Sequence, residues 1–272
     1  MADKLYLVDG MAFAFRSFYA IRANLTDPSG RPTNAVYGFA RILLKLLREQ
    51  EPDRIAVVFD APGKTFRDDL HEAYKATRKE APQELKDQIP IMHDLVRALG
   101  IALFVEPGVE ADDVMATLAK EAEEAGLDVV LVTGDKDMLQ TVTEHVKVFD
   151  AGKGDAGVWY DAEDVVERFG VGPAQVPDAL ALIGDTADNV PGVRGIGEKT
   201  AKKLMAQYGS LEGLYEHVDE LKGKQKERVI EDKDQAFFSR DLVRLRVDVP
   251  LHVTLEDCKR GAPDREAVTD FF

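Results

Sequence analysis

The run Val129-Val130-Leu131-Val132-Thr133-Gly134-Asp135-Lys136-Asp137 decides how this chain is read. Its apolar half has the composition of a strand buried on both faces, as in a parallel sheet, and its two aspartates fall just past the carboxyl end. The pattern recurs. Leu5-Tyr6-Leu7-Val8 ends in Asp9, and Ile55-Ala56-Val57-Val58-Phe59 ends in Asp60. Ile101 to Val105 leads through Pro107-Gly108 to Glu110, Asp112 and Asp113, and a last pair, Asp185 and Asp188, lies in residues 184–192. In an open α/β sheet, ligands bind in the crevice outside the carboxyl ends of the strands, so acids that follow strands of one sheet converge there. Any single one could be an ordinary helix cap. All nine together cannot stay ionised in one crevice without cations, and hard divalent ions such as Mg²⁺ are the usual answer.

The stretches between these strands have helical periodicity. Residues 35–49 end at Pro52, and residues 111–125 stop at Gly126. Strands at 4–8, 54–59, 101–105, 129–132 and near 146–149, alternating with such helices, predict an α/β fold with a mostly parallel central sheet covered on both faces. After about residue 175 the chain turns to short helices and turns, which divides it at 1–175 and 176–272. There is no internal repeat.

With 272 residues and 45% hydrophobic composition the chain can bury a full core. No run of eighteen apolar residues and no signal-peptide pattern is present, so no membrane partner is expected. The single cysteine, Cys258, fits a reducing, cytoplasmic setting. A net charge of −15 argues at first against a nucleic-acid partner. The nine acids supply −9 of it, however, and residues 192–209 carry a local balance of +3.

Two basic segments stand out. Residues 64–79 form a charged insertion too long for an ordinary connection, the kind of loop that serves as a lid beside a crevice. Helical spacing would put Tyr74, Lys75 and Arg78 on one face. Farther on, Pro191 to Met205 reads as a tight hairpin opening a helix, in which Gly192, Gly195 and Gly197 would let backbone approach a phosphate, with Lys199, Lys202 and Lys203 beside it. The spacing is not that of a Walker A loop. It suits contact with a phosphate backbone without base readout.

Five segments carry a resemblance: Val58 to Arg67, Glu72 to Arg78, Glu110 to Val114, Thr133 to Asp137, and Gly184 to Ala201. Together they resemble the 5′→3′ exonuclease region of bacterial DNA polymerase I, within the flap endonuclease family, from about residue 3 onward. The chain stops at Ala267-Val-Thr-Asp-Phe-Phe272, a helix cut in mid-pattern, which suggests an excised domain or a short stand-alone nuclease. The resemblance implies a PIN-like nuclease fold with a helical arch at about 64–90 and a helix–three-turn–helix at about 190–208. It places Asp9, Asp60, Glu110 and Asp112 around one metal. Asp112 or Asp113, Asp135, Asp137 and Asp188 surround a second, with Asp185 as a further or outer ligand. Tyr74, Lys75 and Arg78 correspond to the arch, and Arg16 to a basic residue near the scissile phosphate. Gly192, Arg194, Gly195, Gly197, Lys199, Thr200, Lys202 and Lys203 fall in the duplex-binding element, which in the family also holds K⁺ through backbone carbonyls.

The implied activity is Mg²⁺-dependent hydrolysis of DNA phosphodiesters at a 5′ flap or 5′ end, with Mn²⁺ able to substitute, in primer removal and repair. The partners would be branched DNA, an RNA primer paired to DNA, and a covalently linked polymerase, with the nuclease acting as a monomer. With no supported Ser, Cys or His nucleophile, the attacking species is a metal-activated water. A PIN-type ribonuclease would share the acids without needing the hairpin, and a non-catalytic branched-DNA binder would have lost some acids.

Overall fold

In the computed structural model, residues 3–23, 25–78, 80–154 and 156–271 are described; Lys79 at the end of the insertion and Phe272 of the terminal run lie outside them. Six strands form one sheet: β1 (Lys4–Asp9), β2 (Arg54–Val58), β3 (Ala102–Phe104), β4 (Asp128–Val132), β5 (Val146–Asp150) and β6 (Val158–Tyr160). Their order is β3-β2-β1-β4-β5-β6, parallel except for the antiparallel edge strand β6. Alternation along the strands sends side chains to two cores. Leu5, Leu7, Val129 and Leu131 face one, and Tyr6, Val8, Val130 and Val132 face the other. Both faces are therefore covered, as all-apolar strands require.

The second of these faces is covered by α1 (Gly10–Ala20), α2 (Asn34–Gln50) and, beyond the short α3 (Phe66–Leu70) and α4 (Gln83–Lys86), by α5 (Ile89–Ala98). The first is covered by α6 (Ala111–Glu124) and α7 (Ala162–Phe169), and by the helical region that follows: α8 (Val176–Ile183), α9 (Glu198–Tyr208), α10 (Leu211–Glu216), α11 (Gly223–Glu231) and α12 (Lys233–Val243). The last helix, α13 (Arg265–Phe271), returns to pack on α5. Among the described residues no helix is long and apolar enough to cross a membrane.

The insertion departs from the sequence expectation. Residues 72–77 form successive turns, not a helix, so Tyr74, Lys75 and Arg78 do not share a helical face. Lys75 has a left-handed backbone (φ 55°), and its amide donates to the distant Asp188 carbonyl at 2.9 Å instead of within its own segment. A non-glycine residue held there reflects a tertiary constraint. The segment lies docked on the loop after α8, with Asn189 Nδ2 donating to the Ala73 carbonyl at 2.7 Å.

Candidate active site

β1 and β4 are neighbours at the point where strand order reverses, so Asp9 and the Thr133–Asp137 turn meet at a topological switch point. Asp9 caps α1, accepting from the Ala12 amide at 2.8 Å, while its other oxygen accepts from the Thr133 hydroxyl at 2.8 Å. Across β2, Asp60 accepts from the Ala111 amide at the start of α6, at 2.9 Å. Glu110 and Asp112 flank that helix start, and Asp135 accepts from the Asp137 amide at 2.8 Å.

These carboxylates feel one another. Burial pushes Asp9 up to about 6 against its hydrogen bonds, with Asp60 and Asp135 adding to the rise. Burial and then Asp135 push Asp137 up to about 8. Asp112 is held well above the usual carboxylate range, first by burial and then by Asp135, Asp9, Asp60 and Glu110. Asp137 Oδ1 is buried with no hydrogen-bond partner. Among the described residues no three acidic, histidine or cysteine side chains close into a ready-made ligand set. Their mutual charge effects nevertheless show that Asp9, Asp60, Glu110, Asp112, Asp135 and Asp137 lie near one another. All-oxygen donors, an orphaned buried carboxylate oxygen and mutual repulsion fit a hard divalent cation.

Basic residues supply part of the missing charge. Lys75 Nζ lies 2.8 Å from Glu110, and Arg78 pairs with Asp188 at 2.5 Å. The Tyr74 hydroxyl donates to Glu110 at 3.2 Å, its own ionisation suppressed by burial and then by the Glu110 charge. Lys136 pairs with Asp185 at 2.9 Å; this and two backbone amides outweigh burial and hold Asp185 below its ordinary value. Asp188 is raised by burial despite Arg78. Arg16 donates to Asp150 at 2.7 Å and borders the turn at Gly134.

Asp113 is a correction. It is fully buried, both its oxygens accept from Arg67 (2.5 and 2.9 Å), and one accepts from the Arg246 amide. Successive helical residues point about 100° apart, so when Asp112 faces the crevice its neighbour does not. Arg67, to which the sequence reading gave no role, is 1% exposed. It joins Asp113 and Glu110 to the carbonyls of Leu242 and Arg244, at and just past the end of α12. Removing one member of a buried ion pair strands the other charge, so Arg67→Ala is expected to lose about 3–5 kcal/mol. A loss below about 1 kcal/mol in urea unfolding would show that Asp113 is neutralised in some other way.

The glycine-rich loop between α8 and α9 also differs from its reading. Gly192 is demanded by packing, since a Cβ there would lie 2.5 Å from the Ile183 carbonyl. Gly195 has φ +76° and lies against Arg228. Only Gly197 of the three opens onto free space, just before α9. Arg194 is spent within the protein, on Asp232 at 2.9 Å and Glu231 at 2.6 Å, and Lys202 Nζ donates to the Glu167 carbonyl in the last turn of α7. Lys199 and Lys203 stay exposed on α9, and Thr200 sits half-buried in its first turn.

A mainly parallel sheet with acids at its switch point and a helical region packed beside them defines a resolvase-like nuclease fold. The chain belongs to the 5′-3′ exonuclease family: residues 4–170 match its N-terminal resolvase-like domain, and residues 171–266 its C-terminal SAM fold. It is 46% identical over 273 residues to DNA polymerase I of Chloroflexus aurantiacus, covering 98% of this chain and 29% of that protein. Identity to DNA polymerase I of Bacillus subtilis is 42% over 271 residues, covering 99% and 31%. The chain thus spans about a third of the length of these relatives. Among solved structures, the T5 5′-exonuclease with bound zinc matches with TM-score 0.69 and 25% identity, covering 88% of this chain and 89% of that one. The catalytic core of Rad2 with DNA substrate shares the fold (TM-score 0.63, 19% identity, 99% and 87% covered).

Proposed function

We propose that the chain is a structure-specific 5′ nuclease that hydrolyses DNA phosphodiesters at a 5′ flap or 5′ end beside a duplex, using two Mg²⁺ ions. One observation carries the reading most: Asp112 and Asp137, both with raised proton affinity, gather with the other acids at the switch point, while Lys75 and Arg78 are held directly on Glu110 and Asp188. The T5 5′-exonuclease with bound zinc supports a divalent-metal nuclease, and the relatives named DNA polymerase I support its place within a longer polymerase, for which the role read here is primer removal and repair.

Asp9, Asp60, Glu110 and Asp112 would hold one ion, and Asp112, Asp135, Asp137 and Asp188 the other, with Asp185 farther out. Such ions, when bound, lower the pKa of an attacking water and stabilise the departing 3′ oxygen. The protein's own groups position the rest. Thr133 and the Ala12 amide fix Asp9, and Arg67 fixes Glu110. Lys75 and Arg78 rest on acids that a cation would also claim, so they are poised to exchange a carboxylate for a substrate phosphate. Lys199, Lys203 and the open backbone at Gly197 would meet duplex phosphates without reading bases. K⁺ held by carbonyls of the α8–α9 loop is a further expectation; those of Pro191 and Gly192 already accept from Ser239 and Gln235.

The test is digestion of a 5′-labelled flap substrate with Mg²⁺ and with EDTA, cleavage being expected only with the ion. In the same assay Lys75→Ala should lower the single-turnover rate by roughly 100-fold with affinity changed by less than about 3-fold, because its charge matters most as negative charge builds on the reacting phosphate. Weaker binding with the parental rate at saturation would make the insertion a clamp only.

A further inference from the structure

Arg16 marks a border. On one side lies the acidic crevice, through Gly134; on the other the guanidinium overlies Gly152, where any Cβ would overlap it. Past that border a cavity of about 670 Å³ opens between α1, α2 and residues 151–154. Its walls include Arg16, Ser17, Arg41, Leu44 and Arg48, and among the described residues none that lines it is acidic, in a chain with 50 acids against 35 bases. Among the described residues, nearby acids are engaged: Asp150 by Arg16, and Glu49 by Arg48 at 3.5 Å. Ser17 is 2% exposed and its Oγ is buried without a hydrogen-bond partner. Leu44, in contrast, is 38% exposed.

We propose that this cavity receives a single-stranded segment of the substrate adjoining the cleavage point, with phosphates at Arg41 and Arg48, the unpartnered Ser17 hydroxyl at a polar ligand atom, and bases against the apolar wall. The inference rests on the nuclease reading above. Arginines in a wall whose described residues include no acid favour an anion. Apolar wall between them gains nothing from a duplex, whose bases are stacked inside; it gains from unstacked bases. The volume falls in the range of small-ligand sites, about 300–1,000 Å³, which suits unpaired nucleotides and not a double helix. Contiguity with the crevice through Arg16 gives such a strand a direct path from the reacting phosphate.

The experiment compares binding of a blunt duplex with the same duplex carrying a single-stranded extension, in EDTA so that neither is cut, for the parent and for Arg41→Ala/Arg48→Ala. Expected is roughly a tenfold or greater loss on the extended substrate with less than about 2-fold on the blunt one. The salt slope on the extended substrate should shrink by about 1.4, two single-strand phosphates' worth. Leu44→Asp should repeat the selective loss, and cleavage at saturating substrate should stay parental in each variant. Equal losses on both substrates, or none, would overturn the proposal. Failure of the parent to cut flap DNA with Mg²⁺ would remove the nuclease reading and this proposal with it, whereas a cutting parent with insensitive variants removes this proposal alone.

Discussion

Asp135→Asn is expected to abolish flap cleavage, by about 10³-fold or more, while leaving duplex affinity within about 3-fold of the parent. The substitution is a fine one for this site. Asn keeps an oxygen to accept from the Asp137 amide, now accepted by Asp135 Oδ1 at 2.8 Å, so the turn after β4 keeps its shape. It removes the negative charge that helps raise Asp9, Asp112 and Asp137 together. Asp137→Asn should act likewise, since its Oδ1 is the buried oxygen without a partner and has no structural bond to lose. Binding is expected to survive because duplex contact is assigned to α9, whose exposed lysines belong to another part of the chain. Single-turnover rates within about tenfold of the parent at millimolar Mg²⁺ would remove these acids from the catalytic centre.

Much of this arrangement was legible in the sequence, for a physical reason. Strands buried on both faces must be apolar throughout, so β1, β2 and β4 announce themselves, and the acids at their ends are placed by topology alone. β6 was not legible, because Val158-Trp159-Tyr160 is three residues long at an exposed edge, with Trp159 stacked on Phe149. Side-chain partners were least legible. Arg194 and Lys202 look like phosphate ligands in a basic run, yet Asp232, Glu231 and the Glu167 carbonyl reach them from 35 or more residues away. Helical spacing misplaced Tyr74, Lys75 and Arg78 because the fold bends Lys75 into a left-handed conformation to dock on Asp188. Asp113 looked like a second ligand only because its Arg67 partner lies 46 residues earlier. Those same pairings suggest how the crevice remains tolerable without cations: Lys75, Arg78 and Lys136 each lie on one of its acids.

That compensation is incomplete, so in EDTA the protein is expected to lose stability as pH rises from about 5 to 8. An unfolded aspartate releases its proton near pH 4. Folded Asp9 holds its proton to about 6 and Asp137 to about 8, so between those values the folded state binds more protons than the unfolded one. Stability then falls with rising pH. The Asp137 shift, from about 4 to about 8, corresponds to roughly 4 kcal/mol at neutral pH. At about 2–4 °C per kcal/mol, Tm should drop by roughly 10 °C over the window. Carboxyls held low by partners, such as Asp232 on Arg194, titrate below it. His145, raised by Asp128, acts in the same direction, and His93, lowered by burial, acts in the opposite one. Asp137→Asn isolates the crevice from both, and should raise Tm in EDTA at pH 8 while flattening the pH profile. Mg²⁺ should stabilise the parent by mass action, and more at pH 8 than at pH 6, because at lower pH it must displace protons. A parental Tm in EDTA that is level or rising between pH 5 and 8, or one indifferent to Mg²⁺ at pH 8, would mean that the acids do not share one crevice.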